Sequence, residues 1–455
     1  MVNENNNYLL SINKSYSYID ILFWICIILY LDPAGITSSL GNIRMMQPLL
    51  LVIIWILYIL SSKSIIYINN YTRKIQIFFF IFFIYYMFIF LYLQDSYSPL
   101  SFTEKLLKTR LVFTSWLLFL PVTYFIAYKN NRIFLKLFSI SAIIIGLLLI
   151  IEINFHPNLI DLNTFNRGFF NAERYLMKAY GILEFGLYIP FALGILPYRS
   201  TNNDKKLWIA ASLFIFLIYF LSLTRRYFIF ITIAAMLSYV LSKYFFNKTL
   251  IKKSTLLIYL LCFAFMLYSS FSEQFFAMIE SFNTLYSGYG TTHRRLSLYQ
   301  HTSTINMISD NLWIGSGYIN EWYTNNTFSE QRVSTDFGLA GADYLFLSSI
   351  GMYGIIGVLI FTPVYYFLIK FLLNSISFIK ENIYQLVENI NLNIYPLILF
   401  LSAYIFFFKH IISYPNWFSF IGPTAQAPKY YIILGILFGA FQKLVLNLKF
   451  RKVIK

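Results

Sequence analysis

The chain has 455 residues, of which 58% are hydrophobic, 21% aromatic and only 12% charged. A soluble domain carries about a quarter charged residues, so half that share excludes an ordinary soluble globule and points to many membrane spans. The net charge of +16 is spread through short loops between apolar runs, which excludes a nucleic-acid footprint and reads as a topology signal.

In chain order, residues Met1 to Ser17 are polar and rich in Asn. The apolar run Ile19–Leu31 has no small-x-small cleavage site after it, and Asp32-Pro33-Ala34-Gly35 reads as a turn, so this run is expected to be an uncleaved first span. Further spans are expected near Pro48–Leu60, Ile75–Leu93, Leu111–Tyr128, Ile133–Ile151, Ala179–Leu196, Leu207–Leu223, Tyr227–Ser242, Thr255–Ser269, Leu339–Leu372, Ile394–Ser413 and Tyr430–Leu446. About twelve helices result, each close to the roughly 20 residues a bilayer needs. The fold class expected is an all-α polytopic membrane protein, one membrane domain over residues 1–455. Cys26 and Cys262 both fall inside apolar runs, which leaves no disulfide framework and no cysteine metal cluster.

Lys and Arg set the orientation. With the N-terminus inside, the inner segments carry a clear excess, including Lys205, Lys206, Lys252, Lys253, Arg451 and Lys452. Both termini are then inside, and Phe271–Gly338 is a large outer loop between the ninth and tenth spans. It is expected to hold short amphipathic helices. In the segment His293–Ser309, Arg294, Leu298, His301, Ile305 and Ile308 recur at helical spacing. Gly315-Ser316-Gly317 is expected to form a tight turn.

The outer side is unusually basic. Arg167, Arg174 and Lys178 share a loop of about 25 residues before the sixth span. Thr224-Arg225-Arg226 is the polar break between the seventh and eighth spans, and Arg294 and Arg295 lie in the large loop. Lys409 and His410 lie about one turn inside the outer end of the eleventh span, with Glu152 and Glu184 at similar depth in the fifth and sixth. Ionisable groups within spans are costly and face a polar interior. Snorkelling and mutual pairing account for such residues one at a time; Glu184 has Lys178 and Lys409 as candidate partners. As a set on one leaflet they suit a phosphate-bearing ligand, since Arg presents a fork of donors matched to phosphate oxygens. Three groups are candidate acceptors of a proton: Asp343, His301 and Glu184. Asp343 opens the tenth span, where its charge also favours the helix N-terminus.

The tenth span runs Asp343-Tyr344-Leu345 into Gly351, Gly354 and Gly357, small residues that let another helix approach closely. About twelve spans, one long late outer loop, arginines in two outer loops and this Asp-aromatic-Leu start running into Gly-x-x-Gly resemble the O-antigen polymerase (Wzy) and O-antigen ligase superfamily. In the ligases a histidine stands shortly before the aromatic-Leu pair; here Gly341, Ala342 and Asp343 occupy that region, which favours polymerase. Some polymerases carry an Arg with a Gly ten residues on in two outer loops. Arg167 and Arg174 precede Gly181 at other spacings, so those arginines correspond by loop position.

The resemblance implies a metal-independent glycosyltransferase, similar in fold to the lipid-carrier-dependent GT-C enzymes and resident in a bacterial inner membrane. Its large loop and site face the periplasm and both termini the cytoplasm. It would move a growing glycan from undecaprenyl diphosphate to a hydroxyl of the incoming lipid-linked repeat unit. No cofactor is expected. Expected partners are the undecaprenyl-diphosphate-linked oligosaccharide, membrane lipids and a chain-length regulator in the membrane, and no nucleic acid. The diphosphate-binding set would be Arg167, Arg174, Lys178, Arg225, Arg226, Arg294, Arg295 and Lys409, because no Asp-x-Asp metal motif stands in an outer loop. The alternatives are an O-antigen ligase, differing in acceptor, and a non-enzymatic flippase or transporter, which predicts an inverted repeat with interrupted helices.

Overall fold

The computed structural model describes residues 18–31, 46–62, 70–92, 114–155, 157, 162–167, 172–177, 180–196, 203–221, 226–246, 312–315, 345–388, 390–413 and 427–454. The apolar runs become helices because a chain in lipid must satisfy its backbone within the segment. In order these are α1 (Tyr18–Leu31), α2 (Met46–Ser61), α3 (Asn70–Tyr92), α4 (Phe119–Tyr128), α5 (Asn131–Phe155), α6 (Ile189–Ile195), α7 (Asn203–Leu221), α8 (Arg226–Phe246), α9 (Leu345–Glu388), α10 (Ile390–Ser413) and α11 (Ala427–Ile454). The chain is an all-α polytopic membrane protein. Among the described residues, five helices are long and apolar enough to cross a membrane: Asn70–Ile89, Asn131–Phe155, Tyr353–Glu388, Leu392–Ile411 and Pro428–Lys449. Eleven of the twelve expected spans contain helix; the ninth, Thr255–Ser269, lies outside the described residues.

The centre of the bundle is α11 against α4. Gly435 and Gly439 make this possible. A Cβ on Gly435 would lie 2.8 Å from Val122 Cγ1, and one on Gly439 would lie 2.6 Å from the Thr123 carbonyl oxygen. Small residues one turn apart bring the two backbones together, which supplies packing where lipid gives little hydrophobic drive between helices. Phe371 of α9 stacks on Phe438 with ring centroids 3.9 Å apart, tying α9 to the same core.

Three sequence expectations change. First, the loop before the sixth span contains a hairpin, β1 (Leu162–Arg167) with β2 (Ala172–Met177), antiparallel. Phe165 faces Arg174 and Arg167 faces Ala172. The two-residue alternation of a strand therefore sets positions 165, 167, 172 and 174 on one face. Second, the sixth span is not a uniform α-helix: Tyr180–Tyr188 is a 3-10 helix that passes into α6. Pro190 explains part of this. An α-helical Gly186 carbonyl would look to the amide of residue 190, and proline has none. The Ser212 hydroxyl of α7 instead lies 2.8 Å from the Gly186 carbonyl oxygen. Third, α9 does not stop near Leu372 but continues to Glu388. Ile376, Ile379, Ile383 and Leu386 are buried at helical spacing while Lys380, Glu381 and Gln385 stay exposed, so the extension is an amphipathic helix packed on the body.

Candidate functional site

Among the described residues, α10 reaches two polar clusters set in the apolar body. Near its start, the Tyr395 hydroxyl donates to Asp204 Oδ2 at 3.0 Å. Arg132 Nε donates to the same oxygen at 2.7 Å, and Lys136 Nζ stands 3.6 Å from Oδ1. Asp204 lies in the first turn of α7, ahead of the apolar stretch that opens at Leu207. This cluster ties the starts of α5, α7 and α10 together, and its acid is matched by neighbouring cations.

The second cluster is of another kind. Tyr395 and Lys409 are fourteen residues apart on one helix, so the two clusters are separated by roughly 21 Å along α10. Here Lys409 of α10 and Lys429 of α11 converge on one carboxylate, Glu184 of the 3-10 helix. Lys409 Nζ donates to Oε1, and Lys429 Nζ donates to Oε2 at 3.1 Å. The Tyr188 hydroxyl donates to Oε1 at 3.1 Å, and His410 Nε2 stands 3.9 Å from it. Lys409 is 0%, Glu184 2% and Lys429 4% exposed.

Aromatic rings enclose the group. Lys409 Nζ sits 3.6 Å from the Phe230 ring centroid and 5.1 Å from that of Phe406. Lys429 Nζ is 5.0 Å from the ring of Tyr430. The His410 ring packs between Phe406 at 4.5 Å and Tyr430 at 5.1 Å. Ring faces attract cations, so the enclosure favours positive charge that water would otherwise solvate. Two ammonium groups share one carboxylate at the ends of α10 and α11, beside the start of α8. In a low-dielectric setting such a point attracts anions.

The expected site residues distribute unevenly. Glu184 and Lys409 are brought together as anticipated, although the sequence offered Lys178 as an equal partner. Arg167 and Arg174 are on β1 and β2, and Arg226 is the first residue of α8. Lys178, Arg225, Arg294, Arg295, His301 and Asp343 lie outside the described residues, as does the amphipathic segment around His301. Lys429, His410, Tyr188 and Phe230 were not in the expected set. Lys429 was visible as a cation opening the last span, and His410 as the neighbour of Lys409. Their convergence on Glu184 carries no sequence signal, since Glu184 and Lys429 are 245 positions apart. Among the described residues, no group of three His, Cys, Asp or Glu side chains is placed to hold a metal ion.

Residues 210–362 match the family model described as O-antigen ligase. The match supports the O-antigen polymerase and ligase superfamily. It covers about a third of the chain, taking in Phe230, the start of α8 and the helix break at Gly354. Glu184, Lys409 and Lys429 fall outside it. Members of this superfamily are glycosyltransferase-like enzymes that act on lipid-linked glycans. The match and the apolar helices support a multi-pass membrane protein with a surface-polysaccharide polymerase- or ligase-type function. No curated protein matches the chain.

Proposed function

We propose that the chain is an O-antigen or related surface-polysaccharide polymerase, transferring the growing glycan from undecaprenyl diphosphate to a hydroxyl of the incoming lipid-linked repeat unit. The observation that carries the reading is the buried Lys409–Glu184–Lys429 cluster in a bundle with an O-antigen ligase-type domain. In the reaction, the bond between the anomeric carbon and the diphosphate oxygen breaks and the electron pair leaves with the diphosphate. The acceptor oxygen bonds to that carbon and gives up its proton. Lys409 and Lys429, with arginines 167, 174, 225, 226, 294 and 295 and with Lys178, hold the departing charge, so protein cations serve in place of a metal. Glu184 is the counter-ion that keeps the two lysines charged. Asp343 is the first choice to orient and deprotonate the acceptor, with His301 second and Glu184 third, because two ammonium groups already hold the Glu184 charge. The Lys and Arg asymmetry supports a site at the periplasmic side of the inner membrane, with both termini cytoplasmic. A chain-length regulator is the expected protein partner.

A ligase is the second reading, favoured by the match to the O-antigen ligase family. Polymerase is preferred because Gly341-Ala342-Asp343 stands where ligases carry a histidine. Deleting the gene and resolving the surface polysaccharide on a gel separates the two. Loss of the long ladder with one repeat unit retained supports the polymerase, and loss of every repeat unit contradicts it.

A further inference from the structure

The helix α9 is two helices joined at a break. Gly354 has φ 64° and ψ 177°, left-handed in φ and extended in ψ, which glycine alone adopts cheaply. The break detaches the Ile355 and Ile356 amides from the preceding turn, and a short piece of another segment satisfies them. Ile355 N–H donates to the Leu312 carbonyl at 2.9 Å, and Ile356 N–H donates to the Trp313 carbonyl at 3.1 Å. The Tyr85 hydroxyl of α3 stands between the two parts, 2.8 Å from the Tyr353 carbonyl oxygen and 2.9 Å from that of Ile314. Two glycines make room. A Cβ on Gly354 would lie 2.3 Å from the Trp313 carbonyl oxygen, and one on Gly357 would lie 2.7 Å from Tyr85 Cε1.

The Gly-x-x-Gly pattern thus has two jobs. Gly357 admits the ring of a neighbouring helix, as the sequence suggests; Gly354 admits a turn, which the sequence does not. Tyr85 is seven residues before the end of α3, so the junction lies roughly 10 Å along the helix from that end. Irregular backbone at such depth is tolerated where protein satisfies it, and each of these polar backbone groups has a partner in the junction.

We infer that Tyr85 is a positioning residue, pinning the Leu312–Gly315 turn into the α9 break and so fixing the direction of the half-helix Leu345–Tyr353. By sequence, the turn belongs to the large polar segment Phe271–Gly338, and Asp343 stands two residues before the half-helix. One hydroxyl therefore links the loop that carries Arg294 and Arg295 to the helix that follows Asp343. The consequence for transfer rests on the proposed function; the pinning itself does not.

The test uses the full chain in lipid nanodiscs, comparing wild type with Tyr85→Phe, which keeps the ring and loses the hydroxyl. Hydrogen exchange is followed at the Ile355 and Ile356 amides, and transfer is measured with purified lipid-linked repeat units. Tyr85→Phe is expected to speed exchange at those two amides about tenfold, one hydrogen bond's usual effect. It is expected to lower kcat by a similar factor with KM little changed, because the substrate contacts remain and only the aim of the half-helix is relaxed. Gly354→Ala, which drives a methyl into the Trp313 carbonyl, should exceed Tyr85→Phe in exchange. Unchanged exchange in Tyr85→Phe overturns the pinning. Faster exchange with unaltered kcat overturns the positioning role and leaves a structural tie. If wild type transfers nothing, the functional reading fails, and the pinning is decided by exchange alone.

Discussion

Lys409 and Glu184 stand 225 positions apart in the chain and meet as a buried ion pair with Lys429 on the other carboxylate oxygen. Removing one partner of a buried pair costs about 3–5 kcal/mol, because the remaining charge keeps its desolvation penalty. Glu184→Gln leaves two ammonium groups inside an aromatic enclosure and is expected to lower stability by that order. Lys409→Met keeps the length of the side chain and leaves Lys429 to pair with Glu184, so its effect should be smaller. Thermal unfolding of both variants in one detergent ranks them. Equal stability of Glu184→Gln and wild type would show that the carboxylate is not the lysines' counter-ion.

The close contact of α4 and α11 gives a second prediction. Gly439→Val places carbon against the Thr123 carbonyl, where even a Cβ has only 2.6 Å. Overpacking of this sort costs about 1–3 kcal/mol, and here the obstacle is backbone. Expression of the folded protein, followed by size-exclusion chromatography, should fall for Gly439→Val and hold for Gly439→Ala better than for Val. A Val variant that folds as well as wild type would mean the two helices can part at no cost.

At the opposite cluster, burial acts to raise the Asp204 carboxyl, but the hydrogen bonds from Arg132 and Tyr395 and the charges of Arg132 and Lys136 outweigh it, so the group lies below its ordinary value. A depressed folded pKa contributes stability above the unfolded value, about 3.9 for Asp, and that contribution is lost as pH falls through the lower folded value. Wild type is therefore expected to lose stability relative to Asp204→Asn as pH drops below about 4. Above that range wild type should be the more stable of the two. Melting curves of the pair at several pH values check the sign, and parallel curves refute it.

Much of the architecture was legible in the sequence, since apolar runs of bilayer length leave the backbone little choice but helix. Glu184 and Lys409 were also legible as ionisable groups inside spans at matching depth. The rest was hidden for particular reasons. Lys429 joins them only because α10 and α11 pack side by side, which no local pattern states. The 3-10 helix Tyr180–Tyr188 has its Gly186 carbonyl met by Ser212, a residue of another helix, which no local pattern states either. Gly354 advertised a close approach without saying that a turn, and not a helix, would fill it. The extension of α9 to Glu388 was concealed by Lys380 and Glu381, which read as a connection and prove to be one face of a helix.

The proposed roles of the outer cations and of Asp343 are open to substitution. Arg225→Ala, Arg294→Ala and Arg295→Ala are each expected to reduce polymer with protein level unchanged, and Arg→Lys should rescue poorly where the phosphate contact is bidentate. Asp343→Asn keeps size and loses charge. It is expected to abolish transfer, whereas a helix N-terminal dipole role alone would cost about 0.3–1 kcal/mol of stability and leave activity intact. Near wild-type polymer from Asp343→Asn would pass the role to His301.

The central claim is tested most directly by giving the purified protein one substrate as both donor and acceptor: an undecaprenyl-diphosphate-linked repeat unit, with no lipid A present. A polymerase builds a ladder of longer lipid-linked glycans from it, and Lys409→Met or Lys429→Met shortens or removes the ladder. Transfer that occurs only when a lipid A-core acceptor is added, with no product longer than the donor glycan, would contradict the polymerase account and make the protein a ligase.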